Sequence, residues 1–362
     1  MRKASACLIL ILLCACRYSA PERSLTPLGA ATTSEEPASA LSAAPTKEEA
    51  TQTPILSTPT PTAIPRDTDT PSAPPPGVTF AFVGDMMLGR SIGRRIREGG
   101  GASIFASVEF ILQSADFAIG NLECALGEGG VRANKAYTFL APPESAPLLH
   151  AAGFDILALA NNHVLDYGVD VFEQTLRLLE DNGIRSVGAG MDESQARFPL
   201  RFTAGGIRFA ILAYADIAAE YTGFDPRVWT AGPEKPGIAW AEDKEVTQDL
   251  RALDGAADFV IVLFHYGTEG RAVPDKRQMQ LSRLAVDNGA DMVVGSHSHM
   301  LQPVERYKDR LIFYGLGNFV FDDFTGDANR SAILWVTLSG NLAPEYSLMG
   351  LTIVDGIPRT GE

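Results

Sequence analysis

Six apolar runs in this 362-residue chain end on residues able to bind a cation or move a proton. Residues 80–83 hand over to Gly84-Asp85, and 117–119 to Gly120-Asn121-Leu122-Glu123. Residues 156–160 lead into Asn161-Asn162-His163, and 260–264 into His265-Tyr266-Gly267. Residues 292–294 are followed by Gly295-Ser296-His297-Ser298-His299, and 311–314 by Gly315-Leu316-Gly317-Asn318. Of the five histidines, only His150 stands outside these positions. Asp85, Glu123, Asn162, His265, His297 and His299 together offer carboxylate, carboxamide and imidazole without thiolate. That donor set suits a borderline divalent cation such as Mn, Fe or Zn. A shared carboxylate can bridge two such ions roughly 3.5–4 Å apart, which then activate water and polarise a phosphoryl or carbonyl oxygen. His297 and His299, two residues apart, either share one direction on a strand or diverge on a loop toward two ions. Taken singly, each residue also has a structural role open to it. Asp85 can cap a helix, Asn161-Asn162 can form a turn, His163 can be a hydrogen-bonded core residue, and Glu123 a surface charge. Six of them at one kind of position favour a common site.

Bringing such residues together requires strands that end side by side. Residues 78–83, 117–119, 155–159, 209–214, 258–264, 291–294 and 311–314 read as short strands, several rich in β-branched residues. Between them lie helical patterns. Val171, Phe172, Thr175, Leu176 and Leu179 mark a helix over 171–182 that stops at Gly183, and a second helix over 276–288 stops at Gly289. Continuous apolar strands separated by helices imply a sheet covered on both faces, an α/β architecture. In such sheets ligands sit beyond the carboxyl ends of the strands. Residues 332–338 and 346–354 read instead as neighbouring strands with no helix between them.

The rest of the composition narrows the class. The net charge is −14 and no lysine- or arginine-rich block occurs, which argues against a nucleic-acid partner. Residues 1–16 combine Arg2-Lys3, a short apolar stretch and Cys14-Ala15-Cys16, the pattern of an export signal rather than a fold element. The stretch is too short to span a bilayer as a helix. Leu13-Cys14-Ala15-Cys16 also resembles a bacterial lipobox, which implies acylation of Cys16 and a lipid anchor at the extracytoplasmic face of the membrane. Residues 17–77 are rich in Pro, Thr and Ser, with Tyr18 their only aromatic, and read as a disordered tether. Residues 78–362 form the folded domain, large enough for one core.

At its strand-end motifs the sequence resembles the CapA family of bacterial poly-γ-glutamate capsule synthesis proteins. The matching residues are Gly84-Asp85-Met86-Met87-Leu88, Asn121-Leu122-Glu123, Asn161-Asn162-His163 with Asp166-Tyr167-Gly168, His265-Tyr266-Gly267 with Glu269, Gly295-Ser296-His297-Ser298-His299, and Gly317-Asn318-Phe319. That family looks like a branch of the calcineurin-like metallophosphoesterases, which implies a four-layer α/β/β/α sandwich with one or two divalent ions. By motif, the resemblance implies Asp85 and His299 on a first metal, Asn162, His265 and His297 on a second, and Glu123 bridging both. It makes His163 the general acid, or the donor to a substrate oxygen. Asn161 and Asn318 become candidate substrate contacts, and Arg90, just after the first motif, a group that orients an anion. Two departures stand out. The superfamily places Asp-x-His in its first motif, where this chain has Met87, and its bridging residue is usually Asp rather than Glu. The expected function is metal-dependent, hydrolase-like work on an anionic envelope polymer such as poly-γ-glutamate. The alternatives are a non-catalytic polymer-binding or transport subunit partnered with polymer synthase subunits, and a phosphodiesterase or nucleotidase.

Overall fold

The computed structural model describes residues 77–361. The 1–16 segment with Cys16, and residues 17–76 of the expected tether, lie outside the described residues. No described helix is long and apolar enough to cross a membrane.

Two sheets face one another. The larger runs, edge to edge, through the strands Ile357–Thr360, Pro344–Val354, Arg330–Leu338, Val78–Met86, Phe117–Leu122, Phe154–Ala158 and Arg185–Val187. The smaller runs Val304–Tyr307, Arg310–Phe313, Met292–Ser296, Phe259–Gly267, Ile207–Ile217 and Leu200–Ala204. The strands that carry the motifs are parallel within each sheet, and hairpins close both edges of the smaller one. The expected C-terminal neighbours form an antiparallel pair, Arg330–Leu338 with Pro344–Val354.

Strand alternation builds the layers. In the strand Ile207–Ile217, Phe209, Ile211, Ala213 and Ala215 face the other sheet, while Ala210, Leu212 and Tyr214 face a second apolar cluster. Ile261 and Leu263 repeat the inward set; Val262 and Phe264 repeat the outward one. The outward cluster is completed by Val246 and Leu250 of the helix Asp243–Arg251 and by Leu281 and Ala285 of the helix Lys276–Asp287. On the far side, Phe172 and Leu179 of the helix Val169–Asp181 join the core together with Ile104, Phe105 and Leu112. Helix, sheet, sheet, helix is the expected four-layer α/β/β/α sandwich. Phe80 and Phe209 meet edge to face across the sheets at 5.1 Å, and burying each such ring stabilises by about 1.5–3 kcal/mol.

The expected helices form with small shifts. Val169–Asp181 ends at Asn182 with Gly183 at φ +73°, the left-handed position that glycine takes without cost. Lys276–Asp287 begins with a capping box between Asp275 and Gln278.

The strand Val78–Met86 changes partner along its length. Its first half pairs antiparallel with Arg330–Leu338. At Asp85 it pairs instead with Asn318, at the start of the short parallel strand Asn318–Val320. The crossover requires Gly84, because a Cβ there would lie 1.8 Å from the Gly317 carbonyl oxygen. This switch sets Asp85 between Asn121 on one side and Asn318 on the other.

Candidate metal centre

The carboxyl ends of both sheets open at one place, and all six expected ligand residues meet there. Asp85, Glu123, Asn162, His265, His297 and His299 are buried at 0–4% exposure. Ligand atoms of Asp85, Glu123 and His299 lie within 4.8 Å of one another, and so do those of Glu123, His265 and His297. Glu123 belongs to both groups. Asn162 Oδ1 stands 2.9 Å from His265 Nε2, beside the second group.

Backbone conformation aims the paired histidines. His297 and His299 adopt φ of +86° and +56°, left-handed values that cost non-glycine residues roughly 1–2 kcal/mol each. The strand Met292–Ser296 therefore ends in a turn rather than continuing. The His297 ring faces His265 at 4.6 Å, and the His299 ring turns away to pack on Phe321 and Phe324 at 4.8 Å each. Of the two arrangements open in the sequence, the loop with diverging rings is the one adopted. The His297 amide donates to the Asp85 carboxylate at 3.2 Å, tying the turn to the first strand.

The donor set fits a cation. Glu123 Oε1 and His297 Nδ1 are buried without a hydrogen-bond partner, a costly state for polar atoms. Burial pushes the Glu123 carboxyl well above its ordinary range, and the carboxylates of Asp85 and Glu269 add to this. Burial also holds His265 well below the usual imidazole value and His297 down at about 3. Both imidazoles are neutral at pH 7, the form that ligates metal. Burial opposes charge on His299 too, but its hydrogen bond and charge interaction with Asp85 outweigh that and hold it above its ordinary value. Two carboxylates crowded together, with Glu123 Oε1 and His297 Nδ1 left unpartnered beside them, are relieved by divalent ions.

His163 stands beside this centre, its Nε2 3.9 Å from Glu123 Oε1. Its Nδ1 lies 2.7 Å from Asp166 Oδ2, and its ring stacks on Phe139 at 4.1 Å. Burial brings its pKa down to about 4, so at pH 7 it is neutral. With Nδ1–H donating to the carboxylate, Nε2 carries the lone pair. It must take up a proton before it can deliver one, which qualifies the expected role of general acid.

Three expected substrate contacts have other positions. Asn161 is fully buried, its amide donating to Leu122 O at 2.8 Å and Asn121 Oδ1 at 3.1 Å, and its oxygen accepting from the His163 and Val164 amides. It braces the loop that carries Asn162 and His163. Asn318 is equally buried, with Oδ1 2.9 Å from His299 Nδ1 and Nδ2 donating to Ala328 O. It orients His299. Arg90 is engaged by Asp322 and by Asp323 at 3.3 Å, and lies over the Phe139 ring at 4.9 Å. Its charge is answered within the protein, one ring removed from His163.

Sequence reasoning gave no role to several residues that the structure brings in. Asn121 Nδ2 is 2.8 Å from Asp85 Oδ1 and 3.1 Å from His265 Nδ1, between the two ligand groups. Ser296 Oγ also meets His265 Nδ1, at 2.9 Å, and can accept from it when Nε2 serves as the ligand atom. Asn121 stood within a quoted motif, so its strand-end position was the available signal. Lys135, in a stretch without any motif, gave none. Its ammonium is wholly buried, 3.1 Å from Asp166 and 3.2 Å from Glu220, and donates to the Asn162 carbonyl. Met87, standing where the superfamily has histidine, is fully buried with its sulfur accepting from the Gly89 amide at 3.1 Å.

Residues 79–323 match the family model described as bacterial capsule synthesis protein PGA_cap. The chain is 33% identical over 284 residues to the PGA biosynthesis protein CapA of Bacillus subtilis (strain 168), covering 78% of this chain and 73% of that one. It is 32% identical over 290 residues to the capsule biosynthesis protein CapA of Bacillus anthracis, covering 78% and 69%. Among solved structures, a putative 5'-nucleotidase from Staphylococcus aureus aligns with TM-score 0.49 and 15% identity over 77% of this chain and 55% of that one. From the family match and these relatives, the chain belongs to the bacterial capsule synthesis protein family PGA_cap, the CapA proteins.

Proposed function

We propose that this chain is a metal-dependent, hydrolase-like protein that acts on a capsule or envelope polymer of the poly-γ-glutamate kind. The observation that carries the reading is Glu123, a buried carboxylate common to two three-residue ligand groups with one oxygen left unpartnered. Asp85 and His299 would hold one ion, His265, His297 and Asn162 the other, and Glu123 both. Divalent ions there would supply a water nucleophile at neutral pH and polarise the scissile oxygen. Manganese, iron and zinc all suit these donors. The chain's own part is acid–base work and positioning. His163, backed by Asp166, takes up a proton at Nε2 and returns it to the leaving group. Asn121, Asn318 and Ser296 keep the imidazoles and Asp85 in register. The names of the Bacillus relatives support the choice of polymer. The lipobox-like Cys16 supports a place on the extracytoplasmic face of the membrane, anchored by acyl chains and near polymer synthase subunits.

A second reading has one observation in its favour. Met87 gives the first ligand group a buried, engaged thioether where the superfamily has histidine, which suits a polymer-binding subunit without turnover. Elemental analysis of the purified chain, followed by incubation with poly-γ-glutamate and with a model phosphodiester, separates the readings. Bound Mn, Fe or Zn with shortening of the polymer supports the hydrolase. Metal without cleavage of either substrate favours the binding subunit, and cleavage of the phosphodiester alone a phosphodiesterase. A chain that takes up none of these ions overturns the metal centre.

A further inference from the structure

Beside the metal centre lies a second cleft, of about 550 Å³, that no part of the proposed chemistry uses. A cleft of that size takes a small molecule or one unit of a polymer. The helix Arg90–Arg95 and the turn after it form one wall, and the segment 321–329 the other. The hairpin turn at Asp355-Gly356 closes one side, tied to that segment by the Phe321 amide on Gly356 O at 3.1 Å. The segment serves both sites. Phe321 and Phe324 line the cleft and also meet the His299 ring at 4.8 Å each. Ala328 O accepts from the Asn318 amide, whose oxygen faces His299. Of the four carboxylates lining the cleft, Asp322 and Asp323 are answered by Arg90, and Asp322 also accepts from the Ser91 amide at 3.2 Å. The other two, Glu98 and Asp355, enter no ion pair among the described residues, and neither do Arg94 and Arg95. Arg95 is half-buried and the other three are exposed. The cleft therefore presents two free cations and two free anions.

We propose that this cleft is a subsite for an α-amino acid head group, the free amino-terminal unit of a γ-linked glutamyl chain. The assignment deepens the proposed function and rests on its choice of polymer. In a γ-linked chain every unit carries a carboxylate, but only the first also carries an ammonium, on the same carbon. Arg94 and Arg95 offer planar forks to the carboxylate. Glu98 and Asp355 offer acceptors to the ammonium, which only donates. An interior unit, with its carboxylate alone, would leave those two acids facing like charge. A simple cation would face the two arginines. Binding energy from units away from the scissile bond helps to position a polymer for reaction. Holding the amino end one ring from His299 would direct the protein to that end of the chain.

The test reads binding and not turnover. Isothermal titration calorimetry on the full-length protein compares γ-linked triglutamate with its N-acetylated form. The protein is stripped of metal, so that no cation captures the ligand's carboxylates. Wild type should bind the free-amino form about 10-fold or more tightly than the acetylated one, the worth of one hydrogen bond between charged groups. Glu98→Gln combined with Asp355→Asn should remove that preference. Arg94→Gln combined with Arg95→Gln should weaken both ligands by about 10-fold or more, and Arg94→Gln alone serves if the double variant does not fold. Arg97→Gln, whose side chain lies outside the cleft, should change neither ligand. Equal binding of the two ligands by wild type, or undiminished binding by the arginine variants, overturns the subsite and leaves the metal centre untouched. The expected pattern in a chain that cleaves nothing upholds the subsite and counts against hydrolysis alone. Wild type that binds neither ligand overturns the subsite, and takes the choice of polymer with it only if poly-γ-glutamate is also left uncut.

Discussion

Glu123→Gln should make the metal-free protein more stable while removing its response to cations. The side chain is wholly buried, leaves Oε1 without a partner and lies beside Asp85. Its folded pKa is raised, so the folded state holds a proton that the unfolded state releases above about 4.5. Stability is then full below that value and falls as pH rises toward the folded pKa, by up to about 1.4 kcal/mol per pH unit. At about 2–4 °C per kcal/mol for domains approaching this size, metal-free wild type loses about 3–6 °C per pH unit relative to Glu123→Gln. The difference then becomes constant once the folded pKa is passed. Subtracting one protein from the other cancels the depressed histidines, whose contribution runs the opposite way below pH 6.5. Differential scanning fluorimetry from pH 5 to 8.5, after exhaustive chelation, measures this. Repeating it with MnCl2 should raise wild type by about 2.7 kcal/mol at 100 times the dissociation constant. Glu123→Gln, lacking one ligand from each group, should stay close to its metal-free value. A variant less stable than wild type throughout, or one that keeps the full manganese shift, would refute the placement of Glu123 between two cations.

Other outcomes follow from the same geometry. Asn121→Leu should weaken Mn²⁺ affinity about 10–100-fold by calorimetry, because it removes the amide that holds Asp85 and His265; unchanged affinity would make Asn121 a packing residue only. Phe139→Ala should cost about 3–5 kcal/mol in urea unfolding, since the buried ring supports both His163 and Arg90. Gly84→Ala should yield little folded protein on expression, as its methyl group collides with the Gly317 carbonyl in the middle of the sheet; a normal melting curve would show that the two strands can separate there. In metal-free protein, His163 and His297 are depressed to about 4 and 3. Stability should therefore fall as pH drops from 6.5 toward 4, and His163→Gln should flatten part of that slope in acid titrations followed by circular dichroism.

Much of this site could be read in advance because its ligand residues stand within four positions of the carboxyl ends of buried strands. A strand such as 259–267 is recognisable from its apolar run, and His265 follows from where the run stops. What remained hidden depends on contacts far apart in the chain. Nothing local marks residues 84–85 as the point where a strand exchanges one partner for another, since that depends on Asn318 arriving from 233 residues beyond Asp85. The same holds for Lys135, whose loop has no regular pattern and whose partners Asp166 and Glu220 lie 31 and 85 positions onward. At Asn161 and Asn318 the structure adds what the sequence could not show. A polar residue at a strand end looks like a ligand contact, yet its carboxamide can be spent on holding a neighbour. Only the three-dimensional arrangement tells these apart, because it alone shows that both ends of each amide are already occupied.

The first strand also has a mechanical meaning. Val78–Met86 lies in the interior of the larger sheet, bonded to Arg330–Leu338 on one side and Phe117–Leu122 on the other. Any tension reaching Gly77 along the strand axis is therefore shared by two hydrogen-bond ladders loaded side by side, rather than opening them one bond at a time from an edge. Near the far end of that strand stands Asp85. A pull strong enough to slide it would draw the Asp85 carboxylate out of register before the outer strands were disturbed, so the candidate centre would respond to force ahead of the fold that encloses it.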